Sequence, residues 1–432
     1  MSTVGLTEIG QIIRMIRKSR GLRLEDLADE NISPATISNV ERGVAHVKQE
    51  KVTYLFDKLQ ISMDKLPEMI LNQKEELKRE KFSLFAIESL RDSGFPELAL
   101  EKVKQLELED QHPLAAYAYL IKGKCFNSLE IWRRAERAFL DAIRLSQTSL
   151  GKHSNIEAAA FNGLALCSYN QNELEQAITY TNSGLHAIVD DGERIHYRYV
   201  LLQNKAMFLE KMGRPVEALK VVQDAWEYIP EIKHVEVLLG LYWLRAELLR
   251  KTRDYDESIY YAMEGLELAR LNHDNCRSCD LWITLGSTYM SLNRWSEAET
   301  CFELALKQEG KFSNHQVVST AHARIGLLYI QKEQLELAKD HIHKAIEKAQ
   351  ETQDTLRLLY ALTIMGHYYQ KRNNQTEAAA YFKQSLNLAR KYQYKNKEQI
   401  ALFKLAQCLE SPDQMDIIHL LRSMDVGIEQ LE

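Results

Sequence analysis

The sequence predicts an all-α protein: a small bundle of short helices followed by a long stack of helix pairs. Three observations carry this. Only 18 Gly and 7 Pro occur in 432 residues, too few for a sheet protein with many turns. Short apolar periods of three and four punctuate the first 72 residues. Beyond them a small residue recurs at intervals near 40, the mark of a repeated supersecondary unit.

The first segment, residues 1–72, reads as five helices. The first runs from about Ile9 to Ser19, with Ile9, Ile13 and Ile16 on one face, and stops at Gly21. The second, about Leu24 to Asp29, buries Leu24, Leu27 and Ala28. Asn31-Ile32-Ser33 is a turn. The third opens with Ser33 as cap and Pro34 at its first position, turns Ile37 and Val40 inward, and ends at Gly43. The fourth, Gln49 to Leu59, buries Val52, Leu55, Phe56 and Leu59. The fifth starts after Ser62 with Leu66, Met69 and Ile70. Two short helices, a tight turn and a polar-tipped third helix make a helix-turn-helix.

Charge alone does not mark this segment for nucleic acid. Residues 1–72 hold ten Lys and Arg against ten Asp and Glu, and the net charge of −6 lies in the remainder. Affinity for phosphate must come from local clustering, and Arg14, Arg17, Lys18, Arg20 and Arg23 supply one cluster. A solvated helix face is the plainer reading of it. Thr36, Ser38 and Asn39 are short polar groups at the start of the third helix, suited to base edges or phosphates.

Ile13-Arg14-Met15-Ile16-Arg17-Lys18, Gly21-Leu22, Leu27-Ala28 and Ile37-Ser38-Asn39-Val40-Glu41-Arg42-Gly43, in that order, resemble the XRE/Cro-type helix-turn-helix over residues 8–68. The resemblance implies an internal ion pair between Arg17 and Glu41. It implies that Ala35, Thr36 and Asn39 face the major groove. The full DNA-binding set is Arg23, Pro34, Ala35, Thr36, Ser38, Asn39 and Arg42. Leu24 stands where many members carry a phosphate-contacting Gln. The turn Glu30-Asn31-Ile32-Ser33 is one residue shorter than in common phage-type repressors.

Residues 73–81 are charged and lack Gly and Pro, so they read as a helical connector in which Glu75 and Arg79 pair at i,i+4. A solvated helix with no signalling role fits the same residues.

From residue 82 to 432 the repeat dominates. Gly123, Ala165, Ala206, Ala246, Gly286, Gly326, Gly366 and Ala406 follow one another by 42, 41 and then 40 residues. The clearest copy has Trp282, Leu285, Gly286 and Tyr289, then Ala298, Phe302 and Ala305. Gly123, Phe126, Ala135, Phe139 and Ala142 repeat it, as do Gly326, Tyr329, Ala338 and Ala345, and Gly366, Tyr369, Ala378 and Phe382. This is the tetratricopeptide pattern, with small residues where helices cross and aromatics between them. Phe82–Leu106 is a degenerate first pair, Ser411-Pro412 interrupts a last one, and the expectation is a right-handed superhelix of about nine pairs. The first helix of each pair lines a concave groove suited to an extended peptide. Asn162, Tyr169, Gln203, Asn204 and Glu247 are candidates to line it, the alternative for each being a place against a neighbouring helix.

No phosphate loop, His-Glu-x-x-His or nucleophile elbow is present, so the sequence reads as a binding protein, not an enzyme, with no cofactor. His273, Cys276 and Cys279 form a His-x-x-Cys-x-x-Cys run, one ligand short of a structural zinc site, and no metal is expected. His341 and His343 lie on opposite sides of one helix. Six Cys without a disulfide framework, no bilayer-length apolar run and no signal peptide lead to the expectation of a cytoplasmic protein with no membrane partner.

An XRE-type domain ahead of a long tetratricopeptide array resembles the RRNPP family of peptide-sensing regulators, most of all its NprR and PlcR branches. The shortened turn and the array length are the specific likenesses, and Asn204 in Gln203-Asn204-Lys205-Ala206 matches the family's peptide-anchoring Asn. Asn162 in Phe161-Asn162-Gly163 matches with a shift of one position. The resemblance implies a cytoplasmic quorum-sensing transcription regulator. Its partners would be double-stranded DNA, a short signalling peptide and further copies of itself in a homodimer or higher homo-oligomer. The alternative it carries is a Rap-like module that binds a response regulator and promotes its dephosphorylation.

Overall fold

The computed structural model describes residues 6–44, 48–147, 152–308 and 316–408. Among them the regular structure is helical throughout, in 21 α-helices and two short 3-10 turns, and no strand is present. The chain divides into two compact units, Met1–Ile121 and Lys122–Glu432.

In the first unit α1 (Leu6–Ser19), α2 (Leu24–Leu27), α3 (Pro34–Glu41) and α4 (Gln49–Lys58) surround one core. Ile13, Ile16, Leu27, Ile37, Val40, Val52, Leu55, Phe56 and Leu59 are buried in it, as their spacing predicts, and Ile12 joins them. Helix α1 starts three residues earlier than expected. It meets α3 closely at Gly10, where a Cβ would stand 2.3 Å from the Val40 carbonyl oxygen and 2.8 Å from that of Glu41.

The fifth helix is not short. After a 3-10 turn at Met63–Lys65, α5 runs unbroken from Leu66 to Asp92. It buries Leu66 and Ile70 in the first core and Leu84 and Ile87 near its far end. Residues 73–81 are therefore helical, and Arg79 and Glu75 pair at 3.9 Å. Helix α6 (Pro96–Gln105) packs back on α5. The loop after α6 returns to α1: Lys18 pairs with Glu109, Arg14 donates to Gln111, and His112 stands 3.2 Å from Glu80.

Helix pairs follow: α7 (Ala115–Ser128) with α8 (Trp132–Ser146), α9 (Ile156–Asn170) with α10 (Leu174–His186), α11 (Tyr197–Lys211) with α12 (Pro215–Trp226), and α13 (Val235–Lys251) with α14 (Tyr255–Leu271). Then come α15 (Asn275–Ser291) with α16 (Trp295–Leu306), α17 (Gln316–Gln331) with α18 (Leu335–Glu351), and α19 (Thr355–Lys371) with α20 (Gln375–Lys391). Helix α21 (Lys395–Cys408) packs on α20. Ser411-Pro412 and the remainder of the expected last pair lie outside the described residues. Counting α5 with α6, eight complete pairs are present among the described residues, against about nine expected.

One contact recurs along the stack. Phe139, Phe302 and Phe382 are fully buried on second helices, each against a glycine of a first helix. A Cβ at Gly163, Gly286 or Gly366 would lie 2.3–2.8 Å from the ring. Ile342 plays this part against Gly326. The turns recur too. Asn172, Gly213, Arg253, Asn293, Glu333 and Asn373 all take positive φ just after a first helix. A left-handed residue there lets the chain reverse within a few residues.

Near the middle of the array two imidazoles meet. His322 Nδ1 and His341 Nδ1 are 3.0 Å apart, so one ring donates and the other accepts. His341 therefore finds its partner on α17 rather than in His343. Burial, then the neighbouring His341, pulls His322 down from 6.5 to about 4, and His341 is lowered by burial as well.

Two outcomes follow from this packing. Gly10→Ala drives a methyl into backbone that no rotamer change relieves, and should cost about 1–3 kcal/mol. It is measurable as faster hydrogen exchange in α1 and α3 of the full chain. In unfolded chains His322 takes a proton near pH 6.5, whereas in the array it stays neutral to about pH 4. The unfolded state then binds more protons between these values. Stability is full above pH 6.5 and falls as pH drops toward 4, by about 3 kcal/mol from this group. His322→Gln should flatten the acid limb of a pH series of thermal melts.

Candidate functional site

The third helix, α3, is built to be held by one side and read from the other. Ser33 caps it, its Oγ accepting from the Thr36 N–H at 3.2 Å and lying 2.9 Å from the Thr36 hydroxyl. Ile37 and Val40 are buried. Ala35 is exposed and Pro34, Thr36, Ser38 and Asn39 are partly so. Asn39 and Arg42 form one unit, the Arg42 guanidinium donating to Asn39 Oδ1 and to the Ser38 carbonyl at 3.3 Å. Arg23 is exposed at the start of α2, where its backbone N–H donates to Asp26 Oδ2 at 2.7 Å. The seven sequence-predicted residues therefore divide between the α3 surface and the start of α2.

Of the basic cluster near α1, Arg17 is internal. Its Nε and Nη2 donate to Glu41 at 2.6 and 3.0 Å, and Nη1 to the Leu22 carbonyl at 2.7 Å. The side chains are 10% and 5% exposed. The Glu41 hydrogen bond raises the Arg17 pKa further. Arg14 and Lys18 are spent on Gln111 and Glu109. Of the five cluster residues only Arg17 is buried, while Lys18, Arg20 and Arg23 are exposed.

Sequence reasoning missed Asp29, which organises the turn between α2 and α3. Its Oδ1 accepts from the Asn31 and Ile32 N–H groups at 2.9 and 3.1 Å, and its Oδ2 from Tyr54 at 2.6 Å and from Lys58 on α4. The Lys58 hydrogen bond, then that of Tyr54, holds the carboxyl well below the usual range. An Asp two residues before a turn Asn is the sequence signal that would have found it.

In the array the candidates lie on first helices. Asn204 Nδ2 on α11 donates to Asn162 Oδ1 on α9 at 2.8 Å, joining the two Asn across adjacent repeats. Tyr169 stacks on Phe208 with centroids 5.1 Å apart. Gln203 lies over Gly240 of α13, so close that a Cβ there would fall 2.1 Å from its amide nitrogen. Glu247 is held by Arg250 through hydrogen bonds of 2.9 and 2.7 Å and by Lys251 at 3.8 Å. Burial raises the Glu247 pKa, but the charges of Arg250 and Lys251 outweigh it and bring the group to about 2.

The stack bends back on itself. Asn172 Nδ2 in the α9–α10 turn donates to the Tyr392 carbonyl at 2.8 Å, and Asn396 Nδ2 at the start of α21 donates to the Met212 carbonyl at 2.9 Å. The first helices between these turns thus face a shared interior.

His273, Cys276 and Cys279 part company. His273 takes the left-handed turn position, with φ of 56°. Cys279 is buried, its thiol on the Ala305 carbonyl at 3.5 Å, in the place where Ser319 donates to the Ala345 carbonyl one repeat later. Among the described residues no group of three or more His, Cys, Asp or Glu is placed to hold a metal, and no described helix is long and apolar enough to cross a membrane.

These elements define a helix-turn-helix domain followed by a tetratricopeptide array. Residues 13–66 match the helix-turn-helix family model, and residues 280–311, 319–351 and 359–392 the tetratricopeptide repeat. Among solved structures, the apo form of the quorum sensor NprR from B. thuringiensis is similar with a TM-score of 0.55 at 13% identity, over 86% of this chain and 99% of that one. A Rap protein complexed with competence and sporulation factor gives 0.53 at 13%, over 80% and 99%, and the apo form of RapI 0.54 at 14%, over 65% and 99%. At these identities the likeness is one of fold, and with the two family matches it agrees with the resemblance to RRNPP regulators. The anaphase-promoting complex subunit CDC16 of Saccharomyces cerevisiae is 24% identical over 211 residues, 48% of this chain but only 23% of that protein's length.

Arg17→Met strands a buried carboxylate and should cost about 3–5 kcal/mol, whereas the double change Arg17→Met with Glu41→Leu should recover most of it. Hydrogen-exchange protection of α1–α4 in the full chain reads both.

Proposed function

We propose that this protein is a cytoplasmic, peptide-gated regulator of transcription that acts by binding and not by catalysis. The observation that carries the reading is the presence, on one chain, of a capped helix with a polar exposed face and a repeat array whose first helices present a joined Asn pair. Residues 1–72 bind DNA, residues 73–81 connect, and residues 82–432 bind the peptide and mediate oligomerisation. Asn39 reads a base edge, Ala35 and Thr36 lie beside it, and Arg23 and Arg42 hold phosphate. Asn162 and Asn204 exchange their mutual hydrogen bond for bonds to a peptide backbone, since an amide both donates and accepts.

The neutral charge balance of residues 1–72 favours action as a dimer, in which two weak heads add their affinities on symmetric half-sites. Leu71, Phe82 and Phe85 are large apolar side chains left exposed on α5 and are available to that pairing. The fold likeness to two Rap proteins favours a second reading, in which the array binds a response regulator and promotes its dephosphorylation.

Selection of genomic fragments on the full-length protein, with and without a pool of short synthetic peptides, tests the first reading. A specific complex in one state only is the expected result, and none in either state at physiological salt overturns it. On a selected fragment Asn39→Ala should cost about 1–3 kcal/mol and relax the preference at one base pair. Arg42→Ala should weaken binding to all sequences alike and lower the salt slope by about one.

A further inference from the structure

The interior shared by the first helices holds an unbalanced charge cluster. Glu210 and Lys211 come from α11, Glu247, Arg250 and Lys251 from α13, Arg324 from α17 and Lys397 from α21. Five cations therefore stand near two carboxylates, Lys211 among them at an exposed position, and the charges of Lys251, Glu210, Arg324 and Lys211 all act on Lys397. Both carboxylates are engaged. Glu247 is tied to Arg250, and Glu210 pairs with Lys251.

Among the described residues, Arg245 and Arg324 are half-buried arginines of the array with no carboxylate partner, Arg245 lying over the Trp226 and Tyr261 rings. Arg250, Arg277 and Arg357 each hold a carboxylate. The Arg324 guanidinium instead lies over the Tyr360 ring, 5.2 Å from its centroid. Its Nε is buried without a hydrogen-bond partner, and so is the Tyr360 hydroxyl of α19. Two buried polar groups left unmet at one place cost about 1–3 kcal/mol each. A guanidinium held beside a ring and without a carboxylate partner keeps its fork available to a planar anion. Burial, and after it the Lys251 charge, lowers the Lys397 pKa.

We propose that Arg324, Tyr360 and Lys397 form a carboxylate-binding subsite, which takes an acidic side chain or the C-terminal carboxylate of a bound peptide. The subsite rests on the peptide-sensing reading and adds to it the chemistry of the ligand. A carboxylate accepts from the Arg324 fork and the Lys397 ammonium, and the Tyr360 hydroxyl gains an acceptor. Helices α17, α19 and α21 are bridged by the ligand, close to the turns that already join α21 to α11.

The test is affinity selection of randomised heptapeptides on the full-length protein, with one pool carrying a free C-terminal carboxylate and the other a C-terminal amide. Retained peptides should be enriched in the free-acid pool or in Asp and Glu at one position. For a peptide so selected, Arg324→Gln should weaken binding about 10- to 100-fold, and Tyr360→Phe, which keeps the ring, about 3- to 10-fold. Replacing the peptide's acid by its amide should abolish both effects. Loss on amidation of the terminus assigns the terminal carboxylate, and loss on Asp→Asn or Glu→Gln in the peptide assigns a side chain. Peptides retained with no preference for acid, or an Arg324→Gln loss equal for acid and amide forms, overturn the subsite and leave peptide sensing standing. Retention of no peptide from either pool overturns both. The thermal melt of each variant, unchanged from the parent, confirms that it is folded.

Discussion

The close crossing of two helices over a single small residue is the constraint on which the array depends. Where Gly286 or Gly366 lacks a side chain, a phenylalanine ring from the paired helix fills the space to contact distance. A ring in that position brings about 1.5–3 kcal/mol of burial, and a methyl group in its way would forfeit part of it. Because each pair is closed by its own crossing, the rest of the first helix is released from core duty. Its remaining face can be polar, and in this protein it carries Asn162, Asn204, Glu247 and Arg324. The interior chemistry is a by-product of economical packing on the other side.

Much of this was legible in advance. The repeat could be read because its crossings impose one residue type at a fixed interval, and the helix-turn-helix because apolar spacing and a Ser-Pro start mark its helices. The tetratricopeptide model matches only three later copies, yet the same helix pairing begins with α7. The earlier copies are disguised by irregular connections. Asn155, itself left-handed, pins the loop before α11 through hydrogen bonds with Val189 and Glu193. Such a loop shifts the spacing without altering the stack.

What escaped the sequence involved partners far along the chain. Gly10 reads as a weak point in a helix until Val40 and Glu41 are brought against it. Asp29 reads as a surface acid until Tyr54 and Lys58 arrive from α4. Gln203 reads as either a groove residue or one facing a neighbouring helix, and its amide lies over Gly240, whose missing side chain leaves the room. His322 was passed over because a lone histidine in an apolar helix has no signature, and its partner lies 19 residues away. In each case local pattern fixes the face a residue occupies and says nothing of what stands opposite.

Helix α5 brings a geometric consequence. At 27 residues it is about 40 Å long, and it enters both the core under α1–α4 and the packing with α6. Its middle is exposed and polar, so side chains there tolerate exchange, but their number does not. One residue inserted between Lys74 and Lys81 would rotate everything before it by about 100° around the helix axis. The Lys18–Glu109 and Arg14–Gln111 contacts, made by the loop after α6, close at one angular setting. Seven inserted residues restore the angle to within about 20° but add about 10 Å of reach. The connector thus behaves as a keyed shaft: its composition is free to drift while its length is held to a phase.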